Sequence, residues 1–435
     1  MLATRRHALA AIGALAVTLP IAARAQTSID ATSLGVAADT GKDQSAALQK
    51  ALDRVASSGQ SLRLPAGKIV ASNLAFPSTI LVEGVPGATQ LVGAAIGQIA
   101  NGANVVLRDL TFVGLGDNNA AGPALLDITG SSAITLERCQ FQKGATGLAL
   151  TNATVTIRDC GFADLADAAI HSLDSRGLLI TGNTVTGCGN AGIRIWRSAS
   201  GPDGSIVTQN RIAKIAWVGG GNGQNGNGIN IFRADEVIIA DNHLADCAFS
   251  AIRLNSTNNT QVSGNTCVRS GENAIFSEFA FSGSVIANNI IDGAAGGISM
   301  TNLDNGGRLA VCSGNIVRNI APLSIVNPDS QPFGIAAEGD AAITGNTLEN
   351  IPGVAISAGF GPYLRNVLIS GNVVYGSAIG VGVSVAPGAG TVHIGDNLIH
   401  EPRQYAVAGL EWDRIVEPDL LANASRYPNV TVAAR

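Results

Sequence analysis

Arginine, asparagine, glutamate and aromatic residues recur through the middle of this chain at long, regular intervals. His171, Arg194, Asn230, Arg253, Phe276, Ser299, Ala336 and Ser357 follow one another every 21 to 37 residues, and two positions beyond each stand Leu173, Trp196, Phe232, Asn255, Glu278, Thr301, Glu338 and Gly359. Arginine suits recognition of sugar carboxylates, because a guanidinium donates two parallel hydrogen bonds to both oxygens. If Arg194 and Arg253 neutralise a uronic acid, His171 or an arginine is available to take its C5 proton while Asn230 or Asn255 donates hydrogen bonds. That is lyase or epimerase chemistry, and it predicts Arg253 and Glu278 as catalytic residues. His171, Arg194, Trp196, Asn230, Phe232, Asn255, Thr301 and Glu338 are the predicted binding residues, with Trp196 and Phe232 presented as exposed faces for sugar rings. A second chemistry needs only carboxyl groups: an inverting glycosidase separates two by roughly 6.5–9.5 Å. Glu278 and Glu338 lie two repeats apart, about 9.6 Å if each repeat advances one strand spacing. His171, by the same measure, is about 14 Å from Arg253, too far to serve the same sugar.

These residues work together only if the chain stacks one repeat on the next. From about residue 105 a phrase of Asn, any residue and an aliphatic recurs, with Asn183, Asn210, Asn242, Asn265, Asn289, Asn315, Asn346, Asn372 and Asn397 spaced by 23 to 32 residues. Nine or ten residues after most of them comes Gly-Ile or Ala-Ile within alternating apolar residues, as at Gly192-Ile193, Ala251-Ile252, Ala274-Ile275 and Gly297-Ile298. Alternation with period two specifies strand, and two or three short strands per repeat without a helical segment specify a parallel β-helix. An inward amide at each bend bonds to backbone and to the amides above and below, so the asparagines predict a ladder. Cys139 and Cys160 continue it upstream, on adjacent rungs close enough for a disulfide; the other four cysteines read as small core residues.

With Ile inward, the residues one and three positions later face outward, which places both columns on one face. Two insertions fall at the same point of the coil: one through Gly219-Gly220-Gly221-Asn222-Gly223-Gln224-Asn225-Gly226, the other from Pro322 to Pro332. They predict loops bracketing a cleft that holds Asn230, Phe232, Arg253, Asn255, Glu278 and Thr301. A plainer reading stands beside this one, since outward residues on any solenoid are polar and a glycine-rich loop is also a tolerated excursion.

The whole chain has 435 residues, 53 glycines, 33 asparagines, 18 aromatics and a formal net charge of −5, with lysine supplying only 5 of the 27 cations. That balance excludes a basic nucleic-acid binder, and the apolar fraction of 46% excludes a disordered chain. The histidines lack metal-ligand spacing, Asp304-Asn305-Gly306-Gly307 reads as a turn, and no aspartate cluster suggests calcium, so neither metal nor cofactor is expected. Residues 1–25 read as an export signal: Arg5-Arg6, an Ala/Leu-rich stretch, then Ala23-Arg24-Ala25 before Gln26. The paired arginines suit the twin-arginine route, although Ala8 stands where a bulky apolar residue is usual, which leaves the ordinary secretory route open. No later segment is apolar enough to span a membrane. The expected product is periplasmic or secreted, soluble and monomeric.

The segment before the repeats carries a resemblance. Ser33-Leu34-Gly35-Val36, an amphipathic helix over Asp43–Leu52, Leu62-Arg63-Leu64-Pro65-Ala66-Gly67 and Ile80-Leu81-Val82-Glu83-Gly84 together resemble the entry of the pectate lyase-like superfamily. There a helix caps the apolar end of a right-handed parallel β-helix and polysaccharide lies along an outward sheet. Over its whole length the chain is similar to a twin-arginine-exported repeat family within that superfamily, one of unestablished activity. The expectation is therefore an all-β fold: 26–104 as N-terminal cap and first coils, 105–408 as about twelve rungs of β-helix, and 409–435 as C-terminal cap. Its expected partner is a polysaccharide, acidic if the arginines bind it. Cleavage or epimerisation, hydrolysis through Glu278 and Glu338, and non-catalytic binding to cell-envelope or exopolysaccharide all remain open on these residues.

Overall fold

The computed structural model of the protein describes residues 27–116 and 119–433; the export-signal reading of residues 1–25 lies outside them. Among the described residues, strands stack into three long parallel sheets of 16, 14 and 15 strands, visited in turn by each coil. The coil count is about 14, two more than the repeat phrase alone predicts, because coils before residue 105 pair in the same registers without the asparagine.

Each coil is held by what its inward residues are. Ile170, Ile193, Ile229, Ile252, Ile275, Ile298, Ile335 and Ile356 are fully buried and pair in register along the third sheet. In the second sheet Phe112, Phe141 and Phe162 stack with centroids 4.8 and 5.0 Å apart, the spacing that strand pairing imposes. Between the first and second sheets runs the amide ladder. The backbone N–H of Asn183 donates to Asn210 Oδ1 at 3.0 Å, Asn210 to Asn242 at 2.9 Å, and the chain continues to Asn372 and Asn397. Upstream the Cys139 N–H donates to Cys160 Sγ at 3.4 Å, and the Cys160 N–H to Asn183 Oδ1 at 2.9 Å. A thiol thus takes the amide's place; all six cysteines are buried and free, with no 139–160 bridge.

The ends are closed by different devices. The helix Ser45–Ser58 buries Leu48, Ala51, Leu52 and Val55, one face at helical spacing, and stops at Gly59 in the left-handed region. At the other end the strand Tyr405–Glu411 turns through Trp412 into the antiparallel strand Arg414–Glu417; a short helix follows with Leu420 buried, and Val430–Val432 pairs with Val392–Gly395. Among the described residues no helix is long and apolar enough to cross a membrane.

Candidate functional site

Both outward columns stand in register as the repeat requires. His171 pairs with Arg194, Arg194 with Asn230, Asn230 with Arg253 and Arg253 with Phe276; beside them Leu173, Trp196, Phe232, Asn255 and Glu278 align. Both insertions leave the coil between the second and third sheets, after Arg211–Ile215 and Ile316–Arg318. Their roles then diverge. The glycine-rich segment folds back over the third sheet, whereas the 321–332 segment anchors through Ser324 Oγ on the Gly271 carbonyl at 2.7 Å and stays off the pocket.

The pocket has a volume of about 310 Å³ and is lined by Trp196, Asn222, Gly223, Gln224, Asn230, Phe232, Arg253, Asn255, Glu278 and Phe279. Trp196 and Phe232 meet edge-to-face at 6.1 Å, and Trp196 Nε1–H donates to Asn230 Oδ1 at 3.0 Å. Expected as exposed rings, both are half-buried, because His171 packs edge-on against Trp196 at 5.2 Å and Arg233 lies 4.7 Å over Phe232. They form walls rather than an open platform.

Arg253 and Glu278 are also more enclosed than outward residues on a bare sheet, at 6% and 3% exposed. Arg253 donates from Nε and Nη2 to the two oxygens of Glu278, 2.7 Å each, and from Nη1 to Glu272 Oε2 at 2.9 Å. Asn255 Nδ2 adds a bond to Glu278 Oε1 at 2.9 Å, and Ser250 Oγ one to Glu272 at 3.1 Å. Phe276 lies 5.0 Å from the guanidinium carbon. Gly223 packs against the same group: a Cβ there would fall 2.3 Å from Arg253 Cζ, and φ of +135° excludes other residues independently. The loop is held down by its own carbonyl, which accepts from Asn227 Nδ2 at 2.7 Å and Asn230 Nδ2 at 3.2 Å.

Arg194 is likewise committed. Nη1 pairs with Asp167 at 2.9 Å and Nη2 donates to Asn225 Oδ1 at 2.8 Å, with only 4% of the residue exposed. Two arginines thus face three carboxylates, those of Asp167, Glu272 and Glu278. Burial raises the Glu272 pKa, with Arg253 acting in the opposite sense; burial and then Arg194 lower that of His171. The expectation of free cations for a sugar carboxylate is therefore corrected, because each guanidinium already has acidic partners.

Of the predicted residues, Trp196, Asn230, Phe232, Arg253, Asn255 and Glu278 line the pocket, and His171, Arg194, Thr301 and Glu338 do not. Thr301 Oγ1 bonds with Ser299 Oγ instead. Glu338 accepts the Leu303 N–H at 2.7 Å, and burial lifts its pKa to about 6, while both oxygens of Glu278 are engaged by Arg253. Residues that sequence reasoning missed are Asp167, Glu272 and Phe279, while Asn222, Gly223 and Gln224, expected only to border the cleft, line the pocket itself. Asp167 and Glu272 had a readable signal, a polar residue at the corner just before a third-sheet strand. Among the described residues no group of His, Cys, Asp and Glu could hold a metal ion.

Three parallel sheets visited in turn by each coil, with a loop-bordered pocket on one face, define a parallel β-helix. Residues 95–212 and 202–364 match the family model described as the right handed beta helix region, more than half of the chain, and the protein belongs to that family. No curated protein matches the sequence. Among solved structures, the catalytic unit of an α-1,3-glucanase from Streptomyces thermodiastaticus is similar with a TM-score of 0.56 at 14% identity, covering 89% of this chain and 69% of that one. An alginate lyase in complex with a trisaccharide gives 0.54 at 15%, covering 93% and 96%. PfbA, a surface adhesin of Streptococcus pneumoniae, gives 0.50 at 11%, covering 88% and 93%. At these identities the likeness concerns the fold.

Proposed function

We propose that this protein is an exported polysaccharide-binding rod whose pocket receives an uncharged stretch of glycan. The observation that carries the reading is the arrangement around Arg253: two aromatic walls, amide groups of Asn230, Asn255 and Gln224, and a guanidinium neutralised by Glu272 and Glu278. Aromatic walls take the apolar faces of pyranose rings while a few fixed polar groups take the hydroxyls. Lyase or epimerase action on an acidic chain is served by a cation that pairs with the sugar carboxylate, and hydrolysis by two carboxyl groups at a set separation across the scissile bond. Arg194, Arg253 and Glu278 are all spent on one another or on neighbours, which favours binding over either chemistry. The likeness to a glucanase, an alginate lyase and an adhesin is in keeping with a carbohydrate partner and with a place outside the cytoplasm.

Calorimetry of the mature protein against two neutral polymers, mixed-linkage β-glucan and galactomannan, and two acidic ones, alginate and polygalacturonate, tests this. Binding to a neutral polymer is expected, weakened at least tenfold by Arg253→Ala or Glu278→Ala, without new reducing ends or unsaturated-sugar absorbance. Exclusive binding to the acidic polymers, or affinities untouched by both substitutions, refutes it.

A further inference from the structure

Away from the pocket, aromatic rings are displayed a second time. Phe360 and Tyr363 form a tight turn closed by two backbone bonds, Phe360 N–H to the Tyr363 carbonyl at 3.2 Å and the reverse at 3.1 Å. Trp412, at the tip of the C-terminal hairpin with φ of +56°, reaches back onto this turn: its ring centroid is 4.9 Å from Phe360 and 6.4 Å from Tyr363, both edge-to-face. The contact depends on Gly361, where a Cβ would fall 2.5–2.7 Å from three carbons of the Trp412 six-membered ring. Backbone thus supports the indole, yet Trp412 remains 50% and Phe360 43% exposed. The sequence leads one to expect Trp412 to cover the open end of the coil; instead it overhangs the side.

The position of this cluster ties it to the pocket. Ser277 pairs with Met300, Met300 with Ala337 and Ala337 with Ala358, so Phe279, at the pocket's rim and 40% exposed, shares an edge of the third sheet with Phe360, three strands further on. Three strand spacings are about 14 Å, and Phe232 to Phe360 spans five, about 24 Å. On the hairpin Glu411 and Arg414 pair with each other, and Asp413, next to Trp412, is exposed.

We infer that Phe360, Tyr363 and Trp412 form a second sugar-stacking platform, and that one glycan chain lies along the rod axis from the Trp196–Phe232 pocket across Phe279 to Trp412. The inference rests on the carbohydrate reading of the pocket. Rings fixed by backbone and left open to water offer apolar faces at little ordering cost, which suits stacking of pyranose rings.

The test uses the mature protein with mixed-linkage β-glucan and galactomannan, as polymers and as oligosaccharide ladders beginning at the trisaccharide. Trp412→Ala and Phe360→Ser should each weaken polymer binding about fivefold to tenfold, leave trisaccharide affinity at the wild-type value, and abolish the gain in affinity with chain length. Trp412→Phe should retain most of the polymer affinity, and the thermal transition of Phe360→Ser controls for folding should Trp412→Ala destabilise the hairpin. If polymer affinity survives both substitutions while Trp196→Ala reduces it, the platform is refuted and the pocket stands. If Trp196→Ala is silent while Trp412→Ala weakens binding, the pocket reading falls and with it the spanning chain. A wild-type protein that binds neither polymer overturns both. A dimer in sedimentation that Trp412→Ala dissociates assigns the rings to self-contact and overturns the platform.

Discussion

Replacing Asn265 by alanine tests the physical basis of the rod. Its amide is fully buried; Oδ1 accepts from the backbone N–H and the Nδ2–H of Asn242, both at 3.0 Å, while Nδ2 donates to the Ile239 carbonyl and to Asn289 Oδ1, also 3.0 Å. Alanine leaves two buried donors of Asn242 without acceptors, at about 1–3 kcal/mol each, so the loss should be about 2–6 kcal/mol against a total stability of order 5–15 kcal/mol. Because each coil couples mainly to its neighbours, the damage should centre on the rungs of Asn242 and Asn289. Urea unfolding followed by circular dichroism gives the total, and native-state hydrogen exchange at the Asn242 amide locates it. The chain supplies its own control: Cys160 fills this place with a thiol that accepts from Cys139 N–H and donates to the Arg158 carbonyl at 3.3 Å, so Asn265→Cys should lose about half as much. Asn350, whose Nδ2 donates to Asn319 on an exposed corner and whose φ is +55°, should cost only about 1 kcal/mol when replaced by alanine, the strain of alanine in the left-handed region. If Asn265→Ala costs no more than Asn350→Ala, the ladder does not hold the coils together.

Other outcomes follow from the same structure. Glu338 has a pKa raised by burial from 4.5 to about 6; the folded protein holds this proton more tightly than the unfolded chain. Stability should therefore fall by about 2 kcal/mol in all as pH rises from about 3.5 to about 7, with most of the loss between 4.5 and 6, and Glu338→Gln should flatten that slope in pH-dependent melting; an unchanged slope contradicts the assignment. Gly223→Ala should lower the melting temperature and weaken glycan binding, because its Cβ collides with Arg253, while Gly220→Ala, with open space around it but φ of +62°, should lower the melting temperature through backbone strain alone and leave glycan affinity unchanged; equal effects of the two on affinity would remove the loop's role. Six thiols should titrate in the denatured, unreduced protein and almost none in the native one, since all are buried and burial pushes Cys188 and Cys247 up to about 12; a count below six reveals a bridge.

What could be read without coordinates, and what could not, divides along a physical line. Spacing alone places Ile193, Ile229 and Ile252 inward and Arg194, Asn230 and Arg253 outward, because side-chain direction alternates and each coil adds one strand to each sheet. The asparagine phrase identifies the ladder for the same reason, and the helix with its LPAG turn marks the capped end. The site was only half legible. Trp196, Phe232, Arg253 and Glu278 belong to columns that a period exposes, but Gly223 belongs to an insertion, and an insertion has no period to set its path.

The sequence by itself determined the solenoid and the registers in which outward residues stack, since these follow from local alternation and a repeat that buries one apolar strip. Only the tertiary structure decided what those residues are free to do. Whether Arg253 meets a sugar or Glu272 and Glu278 depends on side chains 19 and 25 positions away and on a loop packed upon its guanidinium. Such contacts are set by the balance of desolvation and ion pairing at one place in space, a balance that no spacing along the chain records.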